Sequence, residues 1–544
     1  MAQIQQRREQ IEQVVVTAQQ MRDIEARIFA AGMPVAALME KVGVSIVKTF
    51  QQTHGNLETF HATHRNVETL YTTSLQRSNK QRVGILVGPG HNGGDALVVA
   101  RELHFQGYFV LLYRPFSKLK ELTSQHAQYV ESLGIPSFDS IESLQECDLL
   151  IDGLFGFGLE RTLTDPVASA IDRINQWSKP VISIDLPSGI HTDTGEVLGT
   201  AIRATRTFCL GLWKQGLLQD GALDYVGKVE LIDFDIPYSD IQAVLGDPPK
   251  IRRITSTNAI ATLPLPRAPV THKYKQGHLL LICGSRRYAG GAILTGMGAR
   301  GSGVGMLSIA VPESIKSMLN AQLPEALIVG CPETDGGAIA HLNLPDGTDL
   351  SSFAAIACGP GLTLEATPIL QAVLDSDRPL VLDADGLNIL AKLGTIPTLS
   401  QRQAPTVLTP HAGEFKRLFP DAADPMHDRV QAVRSAASMC GAVVLLKGAR
   451  TAIANAAGQV WINPESTPAL ARGGSGDVLT GLLGGLVAQA TPQHISIEAI
   501  VATAVWWHSQ AGILAAAERT ELGVDAFTLS HYLMPSLQNF AFKE

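Results

Sequence analysis

From Arg82 onward, apolar residues come in short continuous runs instead of alternating with polar ones: Val83–Val87, Phe109–Tyr113, Leu149–Asp152, Val181–Asp185, Thr207–Leu210 and Lys228–Ile232. Longer amphipathic segments separate the first four. Continuous runs mark strands buried on both faces, and helical crossovers between them mark a parallel sheet covered on either side. A second series of the same kind follows, at His278–Cys283, Met306–Ala310, Ala354–Cys358, Leu380–Asp383, Thr406–Thr409 and Val443–Leu446. Before the first series, Met21, Ile24, Ile28, Leu38, Met39, Val42 and Ile46 recur at helical spacing, so residues 20–50 read as helix. The chain closes on helices of small residues at 476–490 and 495–517.

Two stretches break this rhythm. Residues 51–80 are polar, with a loose echo between HGNLETF and HRNVETL, and read as a partly helical surface excursion. A solvated segment explains its His54, His61 and His64 better than a metal site does. Around 237–270 the proline-rich IPYSD, GDPPK and LPLPRAP mark a linker. No fixed-period repeat relates the halves. The expected organisation is an α/β domain at 1–240, a linker at 241–270 and an unlike α/β domain at 271–544.

Composition agrees with two domains, because 544 residues exceed the ~250–300 at which a single core stops growing. A net charge of −8 argues against a broad nucleic-acid footprint, while a small anionic substrate can still be held by backbone dipoles. The six cysteines are far apart and form no CxxC pair, as reduced thiols of a cytosolic protein would be. The polar N-terminus lacks a signal-like apolar core. Ile495–Ala517 is interrupted by Glu498, His508, Ser509 and Gln510 and reads as a buried helix. A cytoplasmic protein is expected, a homo-oligomer without nucleic-acid or membrane partners.

Candidate chemistry gathers at strand ends. After Val83–Val87 comes GPGHNGGDA, in which Gly88, Gly90 and Gly93 fit the dinucleotide fingerprint and precede a helix whose free N–H groups favour an anion. The next strand ends at Arg114 instead of the acid that a dehydrogenase requires. Two further ends carry DGLFGFG (Asp152–Gly158) and IDLPSG (Ile184–Gly189). Any one Asp can simply cap a helix. Three such ends bearing Asn92, Asp152, Asp185 and Ser188 converge on one crevice, since ligands of open parallel sheets bind there.

GPGHNGGD, DGLFGFG and SIDLPSG resemble the three motifs of the YjeF N-terminal family, the NAD(P)H-hydrate epimerases, over residues 15–235. The resemblance implies a Rossmann-like three-layer αβα domain. It implies that His91, Asn92, Gly93, Gly94, Asp95, Gly156, Phe157, Gly158 and Asp185 contact the hydrated dinucleotide. It also implies that Asn92, Asp152 and Ser188 hold K+. Asp185 is the candidate acid/base for inversion at C6 of the ring, with Lys214 second, although lysines are commonly surface groups. Departures from the pattern are His91, where the family has Asn, and Ala96, where it has a small residue or Gly.

In the second half RGGSGDVLTG (Arg472–Gly481) opens a small-residue helix. Gly474, Ser475 and Gly476 present N–H groups as an anion hole, and Asp477 is placed to take a proton from a hydroxyl. An Asp stabilising the helix dipole is the ordinary alternative. No P-loop motif occurs. GPGL, DADGLN, TPHAGEF, KGART and GGSGDVLTG resemble the ribokinase-like NAD(P)H-hydrate dehydratases over about 272–535, beginning at HKYKQGHLLLICGSRRYAGGA. The resemblance implies that Lys447, Gly448, Ala449, Arg450, Thr451 and Gly476 contact the adenine nucleotide. Ala292, Gly361, His411 and Asp477 would contact the hydrate.

Together these imply a bifunctional enzyme acting on NADHX and NADPHX. One half interconverts the R and S hydrates. The other phosphorylates the C6 hydroxyl of the S form with Mg2+ and ADP, ATP being the alternative, and eliminates phosphate to restore NAD(P)H. Rival readings are a small-molecule kinase in the second half and a non-catalytic nucleotide-binding module in the first.

Overall fold

The computed structural model describes residues 2–54 and 81–541, and the chain separates into two compact units, Met1–Pro249 and Lys250–Glu544. From residue 55 on, the expected excursion, with His61 and His64, lies outside the described residues.

In the first unit, β1 (Val15–Val16) pairs with β8 (Trp213–Lys214). The main sheet contains β2 (Arg82–Val87), β3 (Phe109–Tyr113), β4 (Ser137–Phe138), β5 (Leu149–Gly153), β6 (Val181–Ile184), β7 (Arg206–Leu210) and β9 (Lys228–Ile232). Its order is β4-β3-β2-β5-β6-β7-β9, and every pairing is parallel. The chain starts at β2, winds outward to β4 and returns to β5. The order therefore reverses between β2 and β5, which opens a crevice beyond their carboxyl ends. Successive residues of β2 face opposite cores: Val83, Ile85 and Val87 pack with the N-terminal helices, and Leu86 with Leu150 and Ile171. The helix expected over 20–50 is two, Ala18–Ala30 and Val35–His54, broken around Gly32, whose φ is 104°. Thr17 and Gln20 cap the first reciprocally.

The second unit builds a ten-stranded sheet from β10 (Ile251–Arg253), β11 (His278–Ile282), β12 (Met306–Pro312), β13 (Leu327–Cys331), β14 (Ala355–Cys358), β15 (Leu380–Leu382), β16 (Thr406–Leu408), β17 (Val443–Leu446), β18 (Ala452–Ala454) and β19 (Val460–Ile462). Its order is β10-β19-β18-β17-β16-β15-β14-β11-β12-β13. Only β18 runs antiparallel to its neighbours. Helices Ala289–Gly301 and Ser475–Ala490 touch at the backbone. A Cβ on Gly481 would lie 1.8 Å from the Thr295 carbonyl oxygen, and one on Gly298 would lie 2.1 Å from that of Val478. The small residues of GGSGDVLTG thus serve packing, and this approach sets where the first turn of that helix sits.

The expected linker 241–270 needs correction. Helix Tyr238–Leu245 belongs to the first unit, with Asp240 paired to Arg27 at 3.1 Å. β10 pairs parallel with β19, and Ile254, Ala259 and Leu263 are buried in the second unit's core. The prolines punctuate the segment, but apolar residues between them still bury.

All six cysteines are free and buried. Taken singly, one described helix, Ile497–Arg519, is long and apolar enough to cross a membrane, and most of its apolar window is buried inside the fold.

Candidate active sites

The turn after β2 is shaped by contact. A Cβ on Gly88 would lie 1.7 Å from the Leu154 oxygen, and one on Gly93 would lie 2.0 Å from the Gly88 oxygen. Gly93 and Gly94 are buried and do not line the cavity that opens beyond the strand ends, whereas Gly90 does. That cavity, about 500 Å³, is lined by His91, Asn92, Asp95, Gly156, Phe157, Gly158, Asp185 and Lys214 among others. Helix Ala18–Ala30 adds Glu25, and the loop after β3 adds Lys120. Neither lies in one of the glycine-rich motifs.

Asp185 follows β6 with φ at 70°, a left-handed conformation rare for a residue with a Cβ. Its Oδ1 lies 2.6 Å from Lys214 Nζ. The Leu210 N–H donates to Oδ1 at 3.3 Å and the Phe157 N–H to Oδ2 at 2.9 Å. Lys214 is fully buried, and its ammonium also donates to the Leu210 carbonyl. Burial works against the charged ammonium, but the facing Asp185 and other nearby acidic groups outweigh it and leave its pKa raised. A buried ion pair therefore stands where a surface lysine was the ordinary alternative.

Below the cavity wall Asp152 is fully buried. Its Oδ1 accepts from Ser188 Oγ at 2.6 Å and the Leu154 N–H at 3.2 Å. Its Oδ2 accepts from Ser183 Oγ and the Ser188 N–H, each at 2.8 Å. Burial raises its pKa, and these donors oppose the rise. Asn92 has a buried amide nitrogen without a hydrogen-bond partner, and its side chain stands against Gly156. Burial likewise raises Asp95 well above the carboxylate range, with Asp185 and Glu25 adding to it. The His91 pKa is lowered, first by burial and then by Lys120.

In the second unit Gly474, with φ at 91°, precedes helix Ser475–Ala490, and Asp477 lies in its first turn. Burial, reinforced by Asp383 and opposed by Lys447, pushes Asp477 up to about 7. Asp383, at the end of β15, accepts from Lys447 Nζ at 2.6 Å and Thr480 Oγ1 at 2.7 Å. A Cβ on Gly476 would lie 3.5 Å from Lys447 Nζ. The KGART loop and the GSGD turn thus meet through Lys447 and Asp383. Within that loop, Arg429 donates to the Lys447 carbonyl at 3.2 Å and Thr451 Oγ1 to the Gly448 carbonyl at 3.1 Å. Ala449 is exposed, and Arg450 donates to its carbonyl at 3.2 Å.

His411 is exposed and caps its helix, its Nδ1 accepting from the Gly413 N–H at 3.0 Å. Its partner Glu414 has a raised pKa, from burial first, with Lys447 opposing and Asp383 reinforcing. Ala292 is buried, on the same helix as Gly291, where a Cβ would lie 3.5 Å from Asp477 Oδ2. Gly361, with φ at 66°, abuts Tyr288. His508, noted in the sequence only as a polar break, is buried with Nε2 3.0 Å from the Ser475 carbonyl. Burial lowers its pKa to about 4.

Two α/β units, each with a buried acid beside a lysine at the carboxyl ends of its strands, define a two-centre enzyme. The model for YjeF-related protein N-termini matches residues 35–216, and that for NAD(P)H-hydrate dehydratase matches 279–535. A bifunctional NAD(P)H-hydrate repair enzyme of Synechocystis is 53% identical over 97% of this chain and 95% of its own. One of Thermosynechococcus vestitus is 52% identical over 96% and 97%. Among solved structures, the ADP/ATP-dependent NAD(P)H-hydrate dehydratase of Bacillus subtilis, co-crystallised with ATP/Mg2+, is 34% identical and covers 53% of this chain and 97% of its own, with a TM-score of 0.46. The chain belongs to the family of bifunctional NAD(P)H-hydrate repair enzymes.

Proposed function

We propose that the first unit interconverts the R and S forms of hydrated NADH and NADPH, and that the second dehydrates the S form at the expense of ADP. The observation that carries this is the pair of acid–lysine centres at strand ends, Asp185 with Lys214 and Asp383–Lys447 beneath Asp477.

In the second unit, Asp477 takes the proton from the C6 hydroxyl as that oxygen attacks the terminal phosphoryl group. An acid held at about 7 is ionised in part at neutral pH and is strong enough as a base to accept that proton. The N–H groups around Gly474, Ser475 and Gly476, with Lys447, receive the transferring charge. Phosphate then leaves C6 with its bonding pair, C5 gives up a proton to solvent, and the C5–H pair restores the C5=C6 double bond of the ring. Among the described residues no group of three acidic, His or Cys ligands forms a metal cage. Mg2+ fits this site as an ion carried by the nucleotide phosphates, needing only one or two carboxylates, for which Asp477 and Glu414 stand nearby. When bound, it neutralises phosphate charge.

In the first unit, Asp185 and Lys214 manage protons at C6. The oxygens of Asn92, Asp152 and Ser188 would suit K+, a hard cation: among the described residues the buried Asp152 carboxylate is met by hydroxyl and backbone N–H donors and by no basic side chain. K+ bound there would stabilise its charged form. The hydrate would lie along His91–Asp95 and Gly156–Gly158.

The test supplies mixed hydrate epimers with ADP and Mg2+ and follows the absorbance of the reduced nicotinamide. Full conversion requires both activities. Conversion that stops at the S fraction removes the epimerase, and a stable phosphorylated product without reduced nicotinamide removes the dehydratase.

A further inference from the structure

We infer that Glu25 is a second proton-transferring residue of the first unit, working across the cavity from the Asp185–Lys214 pair. The inference rests on the epimerase reading above. C6 of the hydrated ring is a hemiaminal carbon, bonded to both a hydroxyl and N1. Inversion without any co-reactant proceeds as a base takes the hydroxyl proton, the C6–N1 pair leaves to N1 as C6=O forms, and N1 takes a proton from an acid. Rotation about C5–C6 and reclosure on the other face return both protons. The step needs a base at oxygen and an acid at nitrogen at once, and their roles exchange on reclosure.

The Asp185–Lys214 pair is fully engaged. Both Asp185 oxygens accept hydrogen bonds, and Lys214 bridges Asp185 and the Leu210 carbonyl. Glu25 is different. It lines the same cavity and, among the described residues, makes no hydrogen bond or ion pair. Its position is equally unusual. Met21, Ile24 and Ile28 form the buried stripe of helix Ala18–Ala30, and Glu25 is one turn on from Met21, so a carboxyl group sits beside core positions without a partner. Glu25 is half-buried, and an unpartnered carboxyl drawn partly out of water is costly, which makes a purely structural role a poor account of it. The groups acting on it are Lys214 and Asp185 from the strand ends and Lys120 from the loop after β3. Asp95 also feels it, and Arg22, His91 and Arg161 share the cavity. Burial, with Asp185 adding and the lysines opposing, pushes Glu25 up to about 7, so both of its forms are populated at neutral pH.

The experiment uses the full chain with pure R hydrate, excess ADP and Mg2+, so that epimerisation limits the signal. Pure S hydrate, in parallel, reports the second unit alone. Glu25→Gln is expected to slow R conversion by about 100-fold or more at neutral pH, in kcat and not KM. S conversion should hold, and the melting temperature should hold or rise, since Gln replaces a carboxyl that burial penalises. Wild type should show a limb near pH 7 in R conversion that Glu25→Gln lacks and Glu25→Asp retains at a displaced pH. An R conversion rate within about threefold of wild type in Glu25→Gln, with the limb intact, overturns the inference and leaves the epimerase reading standing. If Glu25→Gln does not fold, Glu25→Asp decides, and an undisplaced limb overturns the inference. A wild-type rate no faster than spontaneous epimerisation overturns the epimerase reading and this inference with it.

Discussion

Asp477 illustrates what a half-buried carboxyl costs its fold. Its carboxyl is raised from 3.8 to about 7 because burial and Asp383 oppose its charge more than Lys447 favours it. The folded state therefore binds a proton more tightly than the unfolded one. The associated stability is complete below the unfolded pKa and is lost as pH rises through about 7. Asp477→Asn should accordingly melt higher than wild type above neutrality, by about 1–2 kcal/mol after discounting for solvent, and show little difference in acid. S-hydrate dehydration by the same variant should fall about 100- to 10,000-fold. A melting curve that does not separate the two proteins at alkaline pH would mean that the carboxyl is not desolvated. Asp383→Asn removes the repelling charge and frees Lys447 to favour ionised Asp477, so the ascending, acid-side limb of dehydration should move to lower pH. Lys214→Met leaves Asp185 buried without its cation, at a cost of about 3–5 kcal/mol. R-hydrate conversion should vanish while S conversion remains. At this scale the sequence was legible where a residue's place is set by a local motif, as with Asp185 just after β6 and Asp477 in the first turn of its helix. Glu25, Lys120 and Asp383 acquire meaning only through distant partners, Lys447 being 64 residues from Asp383, and no local spacing encodes that. The one local clue to Glu25 was a carboxylate within an apolar helical stripe.

Among the elements, glycine-rich turns were visible in the sequence, but the work of each glycine was not. GPGHNGGD reads as a backbone cradle for pyrophosphate, yet Gly88 and Gly93 are needed where the turn closes on Leu154 and on itself. Gly90, with φ at −99° and open space around its would-be Cβ, is the cavity-facing member. Gly88→Ala should destabilise the first unit by about 3 kcal/mol or more, whereas Gly90→Ala should stay within about 0.5 kcal/mol. Equal melting temperatures for the two variants would refute that assignment. Strand recognition shows a similar limit. Eleven of the twelve apolar runs are strands buried on both faces, and the twelfth, β9, is an edge strand that is only partly buried. β4, β10, β18 and β19 have two or three residues each, too few to establish a pattern. β13 is an edge strand whose first four residues are only partly buried or exposed, and its short apolar run, Leu327–Val329, ends at Gly330.

At the scale of the whole chain, the halves were legible because their motif sets differ and a proline-rich stretch falls between them. The position of the boundary was not, since prolines there interrupt elements without ending the fold. β10 pairs with β19, and Ile254, Ala259 and Leu263 share a core with Leu279 and Leu482. Thr503 Oγ1 also donates to the Ala259 carbonyl at 3.1 Å. Residues 271–544 alone would retain every residue assigned to dehydration but lose that edge strand and those side chains. Burying Ile254 and Leu263 is worth about 1.5–3 kcal/mol each, so this shorter fragment should unfold at a lower urea concentration than residues 250–544. Both fragments, kept cold, should dehydrate S hydrate at the same rate and leave R hydrate untouched. Coincident urea midpoints would show that residues 250–270 add nothing to the second unit and would return the boundary to 271. A separated midpoint with equal rates would show that this strip stabilises the second unit without taking part in its chemistry.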